Sequence, residues 1–115
     1  CRARELQPII WGDMFFRLGS PTRDYYECDA DPAAVRDLPP ELSVVYWDYY
    51  HADAAHFRRM FARHRILGRT PIFAGGVWTW NRLWVNLPVT IACLAPGLAA
   101  AREAGKYRLE GKDYV

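Results

Sequence analysis

Cysteine is scarce and poorly spaced for its structural uses. The chain holds three, Cys1, Cys28 and Cys93. That is an odd number, with no Cys-x-x-Cys pair and no histidine at ligand spacing from any of them. A disulfide framework and a zinc site are therefore not expected, and a reducing, cytoplasmic setting is the expectation. Long apolar runs are missing as well. Nothing approaches the ~20 residues that cross a bilayer, so no membrane is implied. No apolar leader follows Cys1-Arg2-Ala3-Arg4-Glu5. Basic runs are also absent: 15 Lys and Arg against 13 Asp and Glu leave a formal charge of +2, so nucleic acid is not an implied partner. The first residue is Cys1 rather than Met, and the true N-terminus is expected to lie upstream. What remains is a globular composition, 51% hydrophobic and 24% charged, with no linker or low-complexity tract. The excess is aromatic: five Trp and seven Tyr help bring the aromatic share to 15%. That is more than so small a core needs, and it points to a flat, apolar ligand.

One pattern recurs along the chain. A short β-rich run ends in aromatic and polar residues, and a helical or loop segment follows. The runs are Gln7 to Trp11, leading into Gly12-Asp13-Met14; Leu42 to Trp47, leading into Asp48-Tyr49-Tyr50; and Pro71 to Trp78. They are continuous rather than alternating, which predicts strands buried on both faces of a parallel sheet. Between the second and third runs, Phe57, Met60, Phe61, His64 and Leu67 fall on one helical face, with Asp53 as N-cap and Gly68 as the stop. The arginines at 58, 59, 63 and 65 take mainly the other sides, where a solvated face is the ordinary reading. A second helix is expected to start near Pro96 and run to Gly105. A short third helix, with Asp31 as cap and Pro32 at its first position, would end before Pro39-Pro40.

Strand and helix in alternation give an α/β fold with parallel strands. The residues at the strands' carboxyl ends are Trp11 and Asp13, Tyr46 and Asp48, and Trp78 and Trp80. Parallel α/β proteins build their sites on that side. Trp, Tyr and Asp together suit a sugar: the C–H face of the ring packs on an indole, and a carboxylate accepts from two hydroxyls. Taken alone, packing is the commoner role for such aromatics.

The blocks Pro8 to Leu18, Val45 to Tyr50 and Phe73 to Trp80 resemble glycoside hydrolase family 20, most of all its bacterial β-N-acetylhexosaminidases. The likeness spans about residues 7 to 105. It implies that residues 1–115 are part of one catalytic (β/α)8 TIM barrel, matching its fifth to seventh strands. A whole barrel takes ~250 residues. It further implies removal of terminal N-acetylglucosamine or N-acetylgalactosamine from glycans, without metal or organic cofactor, by a substrate-assisted, retaining mechanism in which the 2-acetamido oxygen of the substrate attacks the anomeric carbon. By this likeness Tyr46 contacts the acetamide carbonyl, Asp48 contacts sugar hydroxyls, Trp11 and Trp78 wall the pocket, and Trp80 is a third wall residue. Asp13 is placed either on substrate or in a structural role.

The departures bear on activity. The family's adjacent Asp-Glu pair, its general acid and acetamide-orienting carboxylate, occurs nowhere in this sequence, so the chain alone is expected to be inactive. Residues 106–115 do not resemble the family's eighth strand, and nothing is carried over for residues 81 to 95. A non-catalytic remnant or amino-sugar-binding module is the alternative. Trp47 and Tyr49 alternate with Tyr46 and Asp48 and are expected in the core. Gly75-Gly76 is expected to let the backbone pass close to a ligand or an indole. His51, His56 and His64 are read as structural or solvent-exposed. A partial barrel leaves strand edges and its inner face open, so either the missing remainder of the barrel or a second copy is an expected partner.

Overall fold

The computed structural model describes residues 2–20, 26, 30, 32–80 and 83–105. Cys1, Cys28, the expected cap Asp31 and the segment 106–115 lie outside them. Three parallel strands, β1 (Ile9–Trp11), β2 (Ser43–Trp47) and β3 (Ile72–Ala74), form a sheet in sequence order. Helices α1 (Asp13–Gly19) and α2 (Pro32–Val35) lie between β1 and β2. Helix α3 (Ala54–His64) runs on through a 3-10 turn (Arg65–Leu67) to β3, and α4 (Leu87–Gly105) follows. The α/β class and the parallel order expected from the sequence are present. The strands are shorter than the apolar runs that contain them, and β3 stops at Ala74, so Trp78 and Trp80 belong to the loop beyond it.

The sheet is covered on one face. Register places Ile10 beside Val44 and Tyr46 beside Phe73 on the side of the helices. There two apolar clusters meet: Phe15, Phe16, Val35, Val44 and Leu67 in one, and Tyr46, Phe57, Met60, Phe61, Ala100 and Ala104 in the other. The opposite face carries Ile9, Trp11 and Ile72, which are exposed, with Val45 and Trp47 only partly covered. The expectation of strands buried on both faces is therefore corrected. These helices pack on one side, and among the described residues nothing buries the other.

Helix α3 follows its sequence pattern closely. The Asp53 carboxylate accepts from the Ala55 and His56 N–H groups at 3.0 and 3.2 Å. Phe57, Met60, Phe61 and His64 are buried on one face, and Gly68 ends the turn in the left-handed conformation at φ +77°. The 58/59/63/65 reading holds only in part: Arg58 pairs with Glu103 of α4 at 2.8 Å, and Arg63 donates to the Tyr26 carbonyl.

Helix α4 corrects the expectation at Pro96. It begins nine residues earlier, at Leu87, and Pro96 sits inside it. Asn86 provides the start: its side-chain oxygen accepts from the Val89 N–H at 3.4 Å, and Pro88 falls in the first turn, where a proline costs little. Cys93, Gly97, Ala100 and Ala104 line its buried side. A β-carbon at Gly97 would lie 2.5 Å from the Phe73 ring, so this glycine sets how closely α4 approaches β3.

Candidate functional site

The parallel order gathers the carboxyl ends of all three strands at one edge of the sheet, and Asp48 stands one residue past the middle strand. Its backbone N–H reaches the Ala74 carbonyl at 3.4 Å, so the β2–β3 ladder ends at this residue. The side chain is buried and crowded with donors. The Tyr46 hydroxyl donates to Oδ2 at 2.8 Å. The N–H groups of Tyr50 and His51 donate to Oδ1 at 3.0 and 3.3 Å, an Asx-type turn that folds the chain back after the strand. His51 Nδ1 lies 2.8 Å from Oδ2 and His56 Nε2 lies 3.0 Å from the same oxygen. The two imidazoles stack 3.6 Å apart at 12°. The Asp53 cap directs this arrangement, because it starts α3 where the first turn turns His56 toward the strand end.

Burial opposes ionisation of Asp48. The Tyr50 N–H, the Tyr46 hydroxyl and the neighbouring His51 outweigh it and hold the carboxyl below its ordinary range. Burial, then the Asp48 charge and the hydrogen bond to it, pushes the Tyr46 phenol far above its usual value, so it is a fixed donor. Desolvation, followed by the charge of His51, lowers His56 despite Asp48 and favours its neutral form.

Beside this cluster stands a wall of rings. Trp47 and Tyr49 lie 5.4 Å apart, Tyr49 and Trp80 5.4 Å, Trp80 and Trp78 5.0 Å, and Trp78 and Tyr50 5.6 Å. The Trp78 indole N–H donates to the Tyr49 carbonyl at 2.7 Å, which ties the loop after β3 to the loop after β2. Gly76 makes this possible. A β-carbon there would lie 2.8 Å from both the Trp80 and the Tyr49 rings, so the backbone does pass close to an indole, as its sequence suggests.

The structure brings together part of the residue set chosen from sequence. Tyr46 and Asp48 do share one side, as their spacing predicts, but it is the helix side. Tyr46 is fully buried among Phe57, Phe61, Phe73 and His64, and its hydroxyl is spent on Asp48. Both side chains are buried and bonded to each other: the period of the strand was legible, but which face the helices would cover was not. Trp47 and Tyr49, expected in the core, join the ring wall instead. Trp78 and Trp80 are paired, with Trp80 49% exposed. Trp11 is 51% exposed on the uncovered face of β1. Asp13 opens α1 and is buried, with Oδ1 lacking a partner among the described residues, and Gly12 rather than Asp13 takes the cap position.

The two histidines beside Asp48 were not expected there. Their spacing crosses a loop and a helix start, so it matches no ligand pattern; only the Asp53 cap hinted at where His56 would point. Comparison with known proteins found no family model that matches the chain and no curated protein significantly similar to it.

Proposed function

We propose that this chain is part of a carbohydrate-active α/β barrel of the family 20 type. It would belong to a β-N-acetylhexosaminidase that releases terminal N-acetylglucosamine or N-acetylgalactosamine through the neighbouring acetamide of the substrate. The observation that carries the reading is the ring wall of Tyr49, Tyr50, Trp78 and Trp80 at the carboxyl edge of a parallel sheet. Rigid aromatic area with polar tips suits the apolar face of a pyranose and its acetamide methyl. The uncovered face with Ile9, Trp11 and Ile72 supports it too, because a segment of a closed barrel leaves its inward side for the other strands to cover. In this reading the general acid and its adjacent carboxylate come from chain beyond these residues. Tyr46 and Asp48 act from behind the wall, holding the loop that presents Tyr49 and Tyr50, rather than by touching the sugar in the arrangement seen here.

A non-catalytic amino-sugar-binding protein is the second reading, favoured by the lack of an adjacent Asp-Glu pair in the sequence. One pair of measurements separates the two. Hydrolysis of an aryl N-acetyl-β-glucosaminide by the whole gene product, falling about tenfold or more in kcat/KM in Trp78→Ala, supports the enzyme. Quenching of tryptophan fluorescence by N-acetylglucosamine without hydrolysis selects the binding protein. Neither signal from the folded protein sinks both.

A further inference from the structure

Three side-chain groups gather at one oxygen of the buried Asp48. The Tyr46 hydroxyl, His51 Nδ1 and His56 Nε2 lie 2.8, 2.8 and 3.0 Å from Oδ2, and His51 Nδ1 is also 3.0 Å from Oδ1. Two stacked imidazoles presenting one nitrogen each to the same buried carboxylate form a donor set of two nitrogens and one oxygen. The three candidate ligand atoms lie within 4.8 Å of one another. From this we infer a binding site for a divalent transition-metal ion of the zinc class at Asp48, His51 and His56, which is independent of the sugar reading.

The chemistry favours this class. Imidazole and carboxylate together suit zinc and its neighbours, whereas magnesium and calcium want oxygen alone. Ligands about 2.0–2.1 Å from a tetrahedral ion stand roughly 3.4 Å apart. The nitrogens therefore need to withdraw from Oδ2 by a few tenths of an ångström. His51 has room to do so: its side chain is 53% exposed, and it sits in a loop. The ion would take the lone pairs of the two nitrogens, each neutral imidazole carrying its proton on its other nitrogen, and would leave Oδ2 one hydrogen bond, from Tyr46.

The support around the ligands is also in place. A ligating carboxylate is normally oriented by hydrogen bonds of its own. Here the N–H groups of Tyr50 and His51 hold Oδ1, which His51 Nδ1 also approaches at 3.0 Å, and His56 Nε2 reaches Oδ2. Three protein ligands would leave one position open for water or a ligand oxygen.

The test is zinc titration of chelator-treated whole protein by calorimetry, with cobalt(II) absorption as a second readout. One equivalent of zinc and the visible bands of tetrahedral cobalt are expected. His51→Ala and His56→Ala should each weaken binding by ~100-fold or more, and both variants should keep the far-UV circular dichroism of the parent. No saturable binding to the parent overturns the site, and so does binding left unchanged by either substitution. Sugar binding and hydrolysis are not among the readouts, so failure of the sugar reading leaves this result interpretable.

Discussion

Val44, Tyr46 and Asp48 leave β2 toward the helices, and Val45, Trp47 and Tyr49 leave it on the other side. The first three are buried and the second three are only partly covered. Both sides are rich in aromatic rings, so composition does not distinguish them. The neighbours do. On the helix side every polar tip has been given a partner or shut in: Tyr46 bonds to Asp48, and His64 Nδ1 donates to the Met60 carbonyl at 2.7 Å. On the other side the rings pack in a row, tilted or edge-to-face, and leave indole and phenol surface to solvent. One face has its aromatics buried against the helices; the other leaves them partly exposed.

The largest expected effect is on the covered face. Tyr46→Ala removes ring contacts with Phe57, Phe61, Phe73 and His64 and leaves Asp48 without its hydroxyl donor. Truncations of buried aromatics cost about 3–5 kcal/mol, a large part of the 5–15 kcal/mol that holds a typical domain together. Urea unfolding should show this loss. A shift below about 1 kcal/mol would mean that Tyr46 is not in the core, and would return it to the open side of the sheet.

The second effect is a pH dependence that belongs to the covered face alone. Desolvation lowers the fully buried His64 from 6.5 to about 4, against the hydrogen bond to Met60. The unfolded chain then binds a proton that the folded chain refuses, so stability rises with pH across this window. It is complete above about pH 6.5 and is lost as pH falls toward 4. At 1.36 kcal/mol per pKa unit the loss is about 3 kcal/mol. His64→Leu should remove most of the slope between those values and leave the smaller part that the lowered His56 contributes in the same direction. Asp48, also held below its ordinary 3.8, adds its own loss only at lower pH, so the two are separable. A parent curve already flat from pH 6.5 to 4 would contradict the burial of the imidazole.

These two faces also mark where the sequence could be read and where it could not. Helix α3 was legible because each of its signals is local: a cap at Asp53, a period at Phe57 to His64, a stop at Gly68. Helix α4 was not, because Pro96 is a local signal for a helix start that competes with the true start at Asn86-Leu87-Pro88. The helix overrides it with small residues that bed against Phe73 and Phe57. The alternation of β2 was legible from its period, but which side faces helices depends on packing at long range. A one-residue change of face leaves the pattern of apolar residues unchanged here, since rings occupy both sides. The meeting of His51 and His56 on Asp48 is likewise a product of the turn and the cap together, with no spacing rule to announce it.

The smallest expected effect concerns the open face. Trp11→Ser changes a half-exposed ring on the edge strand β1, away from both apolar clusters. Stability should move by no more than about 0.5–1 kcal/mol. What should change is association. Ile9, Trp11 and Ile72 expose apolar surface beside strand edges, and such surface recruits other chains. Sedimentation of the 115-residue chain should show concentration-dependent dimers or larger species, and Trp11→Ser should shift them toward monomer. If instead the parent sediments as a monomer at all concentrations, the open face does not need covering, and the partial-barrel reading loses the support it takes from that face. If Trp11→Ser unfolds the chain, the ring is part of the core and the contrast between the two sides of the sheet fails at β1.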